Sequence, residues 1–219
     1  IKILMNAFYG VMGSVGCRFF DPRLASGITM RGHWIMQESR IFIESHGYTV
    51  IYGDTDSIFV WLKNRVSAEK AQQMGKELVQ KINLWWKEKL QQEFQLESCL
   101  ELQFERHYHR FFISTLRGTE LGSKKRYAGL CHENGGDKLI FKGMETVRSD
   151  WTELAKIFQT GLYERIFQEQ DPREFIRDTI EKTQRGELDE CLVYRKRLRR
   201  KLNDYDKTQP PHVKAARLA

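Results

Sequence analysis

The sequence predicts an α+β fold, in which a small antiparallel sheet packs on helices and a mostly helical region follows from about residue 145. Three observations indicate this. Helical periodicity runs through residues 22–46 and 67–94. Short alternating apolar runs, separated by turn residues, fill the middle of the chain. Helical periodicity then returns from residue 150 onward.

The helices are predicted from their periodicity and their end signals. Residues 1–13 and 22–46 form the first two, and Gly47 is a stop signal after the second. Ser67 to Phe94 form one long amphipathic helix. Further helices are predicted at 150–169 and 172–184. Because the chain starts with Ile inside a helical pattern and stops in what resembles another helix, we expect it to be a piece of a longer protein.

The strands are predicted from alternation. The runs CLELQFERHY, RFFIST, KKRYAGLC and KLIFKG predict antiparallel strands, with Gly135-Gly136 as the turn between the last two. Gly53-Asp54 predicts the turn of a separate hairpin, between the apolar runs 48–52 and 58–62. The sheet is therefore assembled from neighbouring segments.

Composition limits the classes of function. The chain has 219 residues, a net charge of +7 and 30% charged residues, which favours a polyanionic partner such as nucleic acid or an acidic membrane surface. No apolar run is long enough to span a bilayer, and no signal peptide opens the sequence. The four cysteines are far apart without a CxxC pair, which is typical of reduced thiols in a cytoplasmic protein.

Two carboxylates crowd one bend in VIYGDTDSIFV. Asp54 and Asp56 lie two positions apart inside an otherwise β-prone apolar run. Two acids so close repel each other unless a cation shares them, and carboxylates are the ligands that Mg²⁺ prefers. On the motif alone, an ordinary Asp-rich turn, a magnesium site for phosphoryl transfer and the DxD metal site of a glycosyltransferase all stay open.

The opening helix and the run GSKKRYAGL carry the other candidate residues. Lys2, Asn6, Tyr9 and Gly13 share one helical face that could hold a triphosphate and a base pair, and Gly10 would permit close approach of a nucleic-acid backbone. An ordinary amphipathic helix is the alternative. In the second run, Lys124, Lys125 and Arg126 lead into Tyr127, which suits a phosphate-lined groove or, alternatively, a solvated edge strand.

Together, these motifs in this order resemble the family B DNA polymerases. Lys2-x-x-x-Asn6-x-x-Tyr9-Gly10 matches motif B of the fingers, YGDTDS at 52–57 matches motif C of the palm, and KKRY at 124–127 matches a later palm element. The resemblance continues through CRFFDPRLAS, ETVRSDW and LVYRKRLRR, along nearly the whole chain. It implies part of the fingers and a palm helix at 1–46, palm at 47–144 and a partial thumb at 145–219.

The resemblance also implies a role for each matching residue. Asp56 would be a direct ligand of two catalytic Mg²⁺ ions, with Asp54 as its acidic neighbour. Lys2, Asn6 and Tyr9 would bind the incoming dNTP. The implied contacts to primer–template DNA are Gly10, Thr55, Lys124, Lys125, Arg126, Tyr127 and Arg148.

The family's further requirements shape what we expect of this chain. No segment matches motif A, whose aspartate completes the metal site, and the proofreading exonuclease is also absent from the sequence. We therefore expect a fragment of a DNA-directed DNA polymerase that does not polymerise by itself. The alternatives are a basic nucleic-acid-binding module and the glycosyltransferase. We further expect a bacterial cytoplasmic, nucleoid-associated location, no membrane partner, and a sliding clamp bound through other regions of the parent protein.

Overall fold

A computed structural model describes residues 8–115, 122–133, 135–198, 200–205 and 209–218. The chain divides into two compact units, Ile1–His107 and Tyr108–Ala219. None of the helices in these described ranges combines the length and the apolar character that a membrane span requires.

The first long helix, α1 (Pro22–Ser45), confirms the predicted span of 22–46. Its start is fixed by Asp21, whose side chain accepts a hydrogen bond from the Arg23 amide, and by proline in the first turn. At its end, Gly47 adopts a φ of +84°, a left-handed conformation that glycine reaches without steric cost. Of the preceding helix predicted at 1–13, residues 8–13 are described; residues 8–12 are helical and Gly13 is a turn.

The second long helix, α2 (Ala68–Phe94), matches the amphipathic prediction. Ser67 caps it by accepting a hydrogen bond from the Lys70 amide at 3.2 Å. The buried face carries Ile82 and Trp86, which pack with Ile43 of α1. The indole N–H of the fully buried Trp86 donates to Ser39 Oγ at 3.0 Å, so the only polar atom of that ring is satisfied.

A two-stranded antiparallel hairpin, β1 (Thr49–Asp54) and β2 (Ser57–Trp61), packs on these helices. Its apolar residues Val50, Ile58 and Val60 lie against the Ile43–Ile82–Trp86 core. The predicted turn at Gly53-Asp54 is wrong by two residues: Asp54 pairs with Ser57, and Thr55-Asp56 form the turn. The pairing of apolar residues across the strands sets the register and overrides the local Gly-Asp signal.

The predicted strand at CLELQFERHY is also wrong, because residues 95–107 lie in no strand and only Tyr108, the last residue of this run, begins the next one. The segment docks on α2 instead. The Asn83 side chain donates to the Leu102 carbonyl and accepts from the Leu102 amide, both at 2.9 Å. The Phe104 ring covers Gly75, where a Cβ would lie 2.2 Å from the ring. Alternating apolar residues thus face a helix here rather than a sheet.

The second unit is built on a three-stranded antiparallel sheet in the order β3 (Tyr108–Thr115), β4 (Gly122–Glu133) and β5 (Gly136–Lys142). These strands contain the predicted runs RFFIST, KKRYAGLC and KLIFK. Gly135 lies in the turn between β4 and β5 with a φ of +82°. The Tyr108 ring covers Gly129 of the neighbouring strand, where a Cβ would lie 2.3 Å from the ring.

Helices follow this sheet, as predicted: α3 (Glu153–Phe167), α4 (Arg173–Gln184) and α5 (Pro211–Leu218). Short 3₁₀ helices lie at Glu145–Val147, Asp189–Leu192 and Leu202–Asp204. Tyr163 and Phe167 of α3 pack against Ala128 of β4 and Met144, which form the buried core of this unit.

The α+β prediction is confirmed. Within the described residues, the strands form two separate sheets, one in each unit. The predicted domain boundaries at residues 46 and 144 stay predictions, because the division of the chain into two compact units does not test them.

Candidate functional site

The acidic hairpin lies entirely in the first unit. Asp54 ends β1 and is partly buried, whereas Asp56 occupies the exposed turn. Between them Thr55 has a φ of +51°, an uncommon conformation for a β-branched residue. This strained turn holds both carboxylates at one end of the hairpin. Local strain of this kind often occurs at functional sites.

Each carboxylate of the hairpin accepts one local hydrogen bond. Thr55 Oγ1 donates to Asp54 Oδ1 at 3.1 Å, and Ser57 Oγ donates to Asp56 Oδ1 at 3.4 Å. No lysine or arginine of the described residues forms an ion pair with either acid. The two negative charges are therefore not neutralised by this part of the protein.

The acid pair fits a divalent cation only in part. Mg²⁺ is held by one or two carboxylates together with water and substrate phosphates, and Asp54 and Asp56 supply that minimum. Among the described residues, no group of three or more His, Cys, Asp or Glu side chains could hold a metal. Phosphate oxygens or carboxylates from elsewhere would have to complete the coordination.

The support under the hairpin comes from α1. A Cβ at Gly53 would lie 3.3 Å from the Met36 methyl group, so glycine permits the close packing of strand on helix. Tyr52 and Phe59 pack across the strands with ring centroids 5.2 Å apart. These contacts anchor the hairpin just before its acidic end.

The predicted nucleotide-binding face is described in part. Lys2 and Asn6 lie outside the described residues. Tyr9 is 45% exposed, and its hydroxyl is 2.7 Å from Thr29 Oγ1 of α1. Since Thr29 Oγ1 donates to the Ala25 carbonyl, the phenol donates to Thr29. Gly10 has open space beside it, with no atom of the described residues within 4 Å of an added Cβ.

The predicted basic strand lies in the second unit, on β4. Lys124 belongs to the strand, but its side chain lies outside what the structure describes. Lys125 is exposed and has a φ of +69°, which interrupts the predicted alternation of faces. Tyr127 is only 9% exposed and packs against Phe111, with centroids 5.1 Å apart. Its accessible surface for any ligand is therefore small.

The two arginines of the predicted set both have carboxylate partners. Arg126 donates to Glu145. Arg148 donates to Asp150 through Nε at 3.0 Å and Nη2 at 2.7 Å. The hydrogen bonds from Arg148 lower the pKa of Asp150 to about 2, and the same contact raises the pKa of Arg148.

Sequence reasoning missed the residues around Arg126. Gln159 Nε2 donates to Glu145 Oε2 at 2.7 Å, while Gln159 Oε1 accepts from the amide and hydroxyl of Thr146 at 2.9 and 2.8 Å. Burial raises the pKa of Glu145, but the hydrogen bonds from Gln159 and Arg126 outweigh it and leave the pKa lowered. Burial raises the pKa of Tyr163, and the negative charge of the partly buried Glu145 raises it further. In the sequence, the signal that could have indicated this cluster was the pair of polar residues Glu145-Thr146 directly after an apolar strand.

The chain that carries this acidic hairpin and basic strand belongs to DNA polymerase family B. The sequence model of that family, described as "DNA polymerase family B", matches residues 1–218. This membership gives no support to the glycosyltransferase alternative.

Individual DNA polymerases are similar to this chain along its whole length or nearly so. The chain is 58% identical over 219 residues to DNA polymerase II of Escherichia coli K12, covering all of this chain and 28% of that protein. It is 34% identical over 224 aligned positions to a DNA polymerase of Thermococcus gorgonarius, covering 26% of it, and 34% identical over 221 to one of Archaeoglobus fulgidus, covering 24%. The chain thus spans about a quarter of the length of these curated relatives.

Proposed function

We propose that the chain is the part of a DNA-directed DNA polymerase that carries motif B, motif C and the KKRY strand. The observation that carries this proposal is the acidic end of the hairpin, where Asp54 and Asp56 sit without a cationic partner among the described residues. This feature occurs in a chain that matches the family B model along residues 1–218. Two neighbouring carboxylates without a cationic partner repel each other, and the same pair is suited to sharing a metal ion.

The proposed reaction is nucleotidyl transfer from a dNTP to a primer 3′-hydroxyl. Asp56, on the exposed turn, would be the direct ligand of Mg²⁺. Asp54, at the end of β1, would either bind the ion as well or help to orient its ligands. Two bound Mg²⁺ ions would supply activation of the attacking hydroxyl and charge neutralisation on the leaving pyrophosphate. The Thr55 turn keeps both carboxylates at the same end of the hairpin.

The remaining predicted residues would hold the substrates. Lys2 and Asn6 would contact the dNTP phosphates and pocket, and Tyr9, oriented through Thr29, would flank the nascent base pair. Contacts to primer–template DNA are proposed for Gly10, Thr55, Lys124, Lys125, Tyr127 and Arg148; the sequence-based prediction also included Arg126. Phosphate contacts of this kind position the duplex without reading its sequence. In the same proposal, residues 1–46 belong to fingers and palm helix, 47–144 to palm and 145–219 to thumb.

A second candidate, a non-catalytic basic module that binds nucleic acid, applies to the 219 residues taken alone. It is favoured by the net charge of +7 and by the lack of a three-ligand metal cluster in the described ranges. On this ground the isolated chain is expected to bind DNA without turnover. We extend the proposal to a bacterial cytoplasmic, nucleoid-associated parent enzyme that engages a sliding clamp through its other regions.

The test compares the 219-residue chain with a complete polymerase that contains it. Primer extension with Mg²⁺ and dNTPs is measured for both, together with primer–template binding across a salt series. Extension by the complete enzyme, and salt-dependent binding without extension by the isolated chain, would support both parts of the proposal. A complete enzyme that binds DNA but does not extend the primer would contradict the polymerase assignment.

A further inference from the structure

The carboxylate that partners Arg126 is enclosed by the protein. The Glu145 side chain is 17% exposed, and both of its oxygens are engaged: Oε1 by Arg126 and Oε2 by Gln159. The neighbouring Met144 is 4% exposed and lies in the core beside Ala128. The core packing of Met144 anchors the turn that carries Glu145, and the two hydrogen bonds hold the carboxylate in place.

The orientation of the cluster is determined by its hydrogen bonds. Gln159 Oε1 accepts from both the amide and the hydroxyl of Thr146, so its Nε2 must point at Glu145. This arrangement fills Glu145 Oε2 and leaves Oε1 for a cation. Arg126 of β4 supplies that cation and joins the strand to the 3₁₀ helix and to α3.

The backbone beside Arg126 is equally constrained. Lys125 has a left-handed φ of +69°, and a Cβ at Gly143 would lie 1.9 Å from the Lys125 carbonyl oxygen. Strand β4 and the turn after β5 are thus in direct backbone contact here. Arg126 directly follows the residue that makes this contact.

The second arginine is in a different situation. The partner of Arg148 is Asp150, whose side chain is 37% exposed, against 17% for Glu145. An exposed ion pair contributes little and can be exchanged for another anion, whereas an enclosed carboxylate needs its cation permanently. In addition, the hydrogen bonds from Arg148 lower the pKa of Asp150, and the positive charge of Lys196 adds a smaller contribution.

We propose that Arg126 is a positioning residue that permanently neutralises Glu145 and does not bind a DNA phosphate, whereas Arg148 exchanges Asp150 for one. The proposal rests on the proposed function, since it concerns how that protein holds primer–template DNA. The proposal reduces the set of residues that contact DNA. Of the two arginines predicted to contact DNA, Arg126 stabilises the basic strand and Arg148 binds the DNA backbone.

The experiment uses two double variants that leave net charge unchanged: Arg126→Met with Glu145→Gln, and Arg148→Met with Asp150→Asn. Each is made in the complete polymerase, and the affinity for primer–template DNA is measured from 50 to about 400 mM salt. Each phosphate contact contributes about 0.9 to the slope of log affinity against log salt. The first double variant is expected to keep the wild-type slope, and the second to lose about 0.9 of it.

The single variant Arg126→Met separates positioning from a purely structural role. It leaves the Glu145 carboxylate without its cation near the DNA, so affinity is expected to fall about fivefold. Adding Glu145→Gln is expected to restore it.

Three results would overturn the inference: a slope about 0.9 shallower in the first double variant, an Arg126→Met variant with wild-type affinity, or equal slopes for both double variants. Failure of the wild-type complete enzyme to bind DNA would instead refute the proposed function.

Discussion

Replacing Gly143 with alanine tests the backbone contact that joins the basic strand to the Glu145 turn. Gly143 has a φ of +61°, and its added Cβ would lie 1.9 Å from the Lys125 carbonyl oxygen. An alanine forced into the left-handed region costs about 1–2 kcal/mol. Because the obstacle is backbone in a paired strand, relieving the overlap adds about 1–3 kcal/mol, the usual cost of overpacking. We therefore expect Gly143→Ala to lower the free energy of unfolding by about 2–5 kcal/mol.

Gly135→Ala is the matched control for this experiment. Gly135 also has a positive φ, +82°, but no atom of the described residues lies within 4 Å of an added Cβ. It should show the conformational cost alone, about 1–2 kcal/mol. Both variants gain the same small benefit from a less flexible unfolded chain, so that effect cancels in the difference. Urea unfolding of the 219-residue chain, followed by circular dichroism, gives both values. Equal losses for the two variants would refute the close approach.

Three further substitutions test other contacts. Ser39→Ala leaves the buried indole N–H of Trp86 without its acceptor and should cost about 1–3 kcal/mol by urea unfolding; a loss no larger than that of an exposed serine would contradict this. The pKa of Asp150 is lowered from 3.8 to about 2, so its contribution to stability is complete above pH 3.8 and is lost as pH falls toward 2. Asp150→Asn should therefore flatten stability over that interval, and an unchanged pH profile would argue against the ion pair. In the complete polymerase, Tyr9→Phe and Thr29→Val should each raise the KM for dNTP about two- to tenfold, because each removes the same hydrogen bond. The double variant should raise the KM no further than either single variant, and additive effects would contradict the shared hydrogen bond.

The helix ends were predictable because their signals are local. Asp21-Pro22 and Ser67 are capping residues that lie directly beside the helices that they start, and Gly47 follows the helix that it ends. The pairing of residues across two strands, in contrast, depends on residues that are distant in the sequence. The turn of the acidic hairpin was therefore misplaced at Gly53-Asp54, since its position depends on which apolar residues pair across the strands.

The segment at 95–107 shows the limit of periodicity. Leu100, Leu102 and Phe104 alternate as in a half-buried strand, yet they pack on α2. An extended chain docked on a helix buries every second residue just as an edge strand does. Only the Asn83 side chain, which pairs with the Leu102 backbone, distinguishes the two cases, and it lies 19 residues away in sequence.

The candidate site was predictable in its local part only. Asp54 and Asp56 are neighbours in the sequence, so their shared location at one end of a hairpin followed from spacing. The cluster around Glu145 draws Arg126 from a strand and Gln159 from a helix. Such long-range contacts leave no periodic signal in the sequence. The sequence therefore could not predict that Arg126 of the KKRY run pairs with Glu145.

The most direct test of the central claim is the rate of single-nucleotide incorporation by the complete polymerase carrying Asp56→Asn. The control is Asp137→Asn, which removes an exposed carboxylate beside the turn of the other hairpin. Bound metal ions stabilise transition-state charge by several kcal/mol, so we expect Asp56→Asn to slow single-turnover incorporation about a thousandfold or more. Asp137→Asn should keep the wild-type rate. An Asp56→Asn enzyme as fast as the control would mean that the acidic hairpin is only a turn.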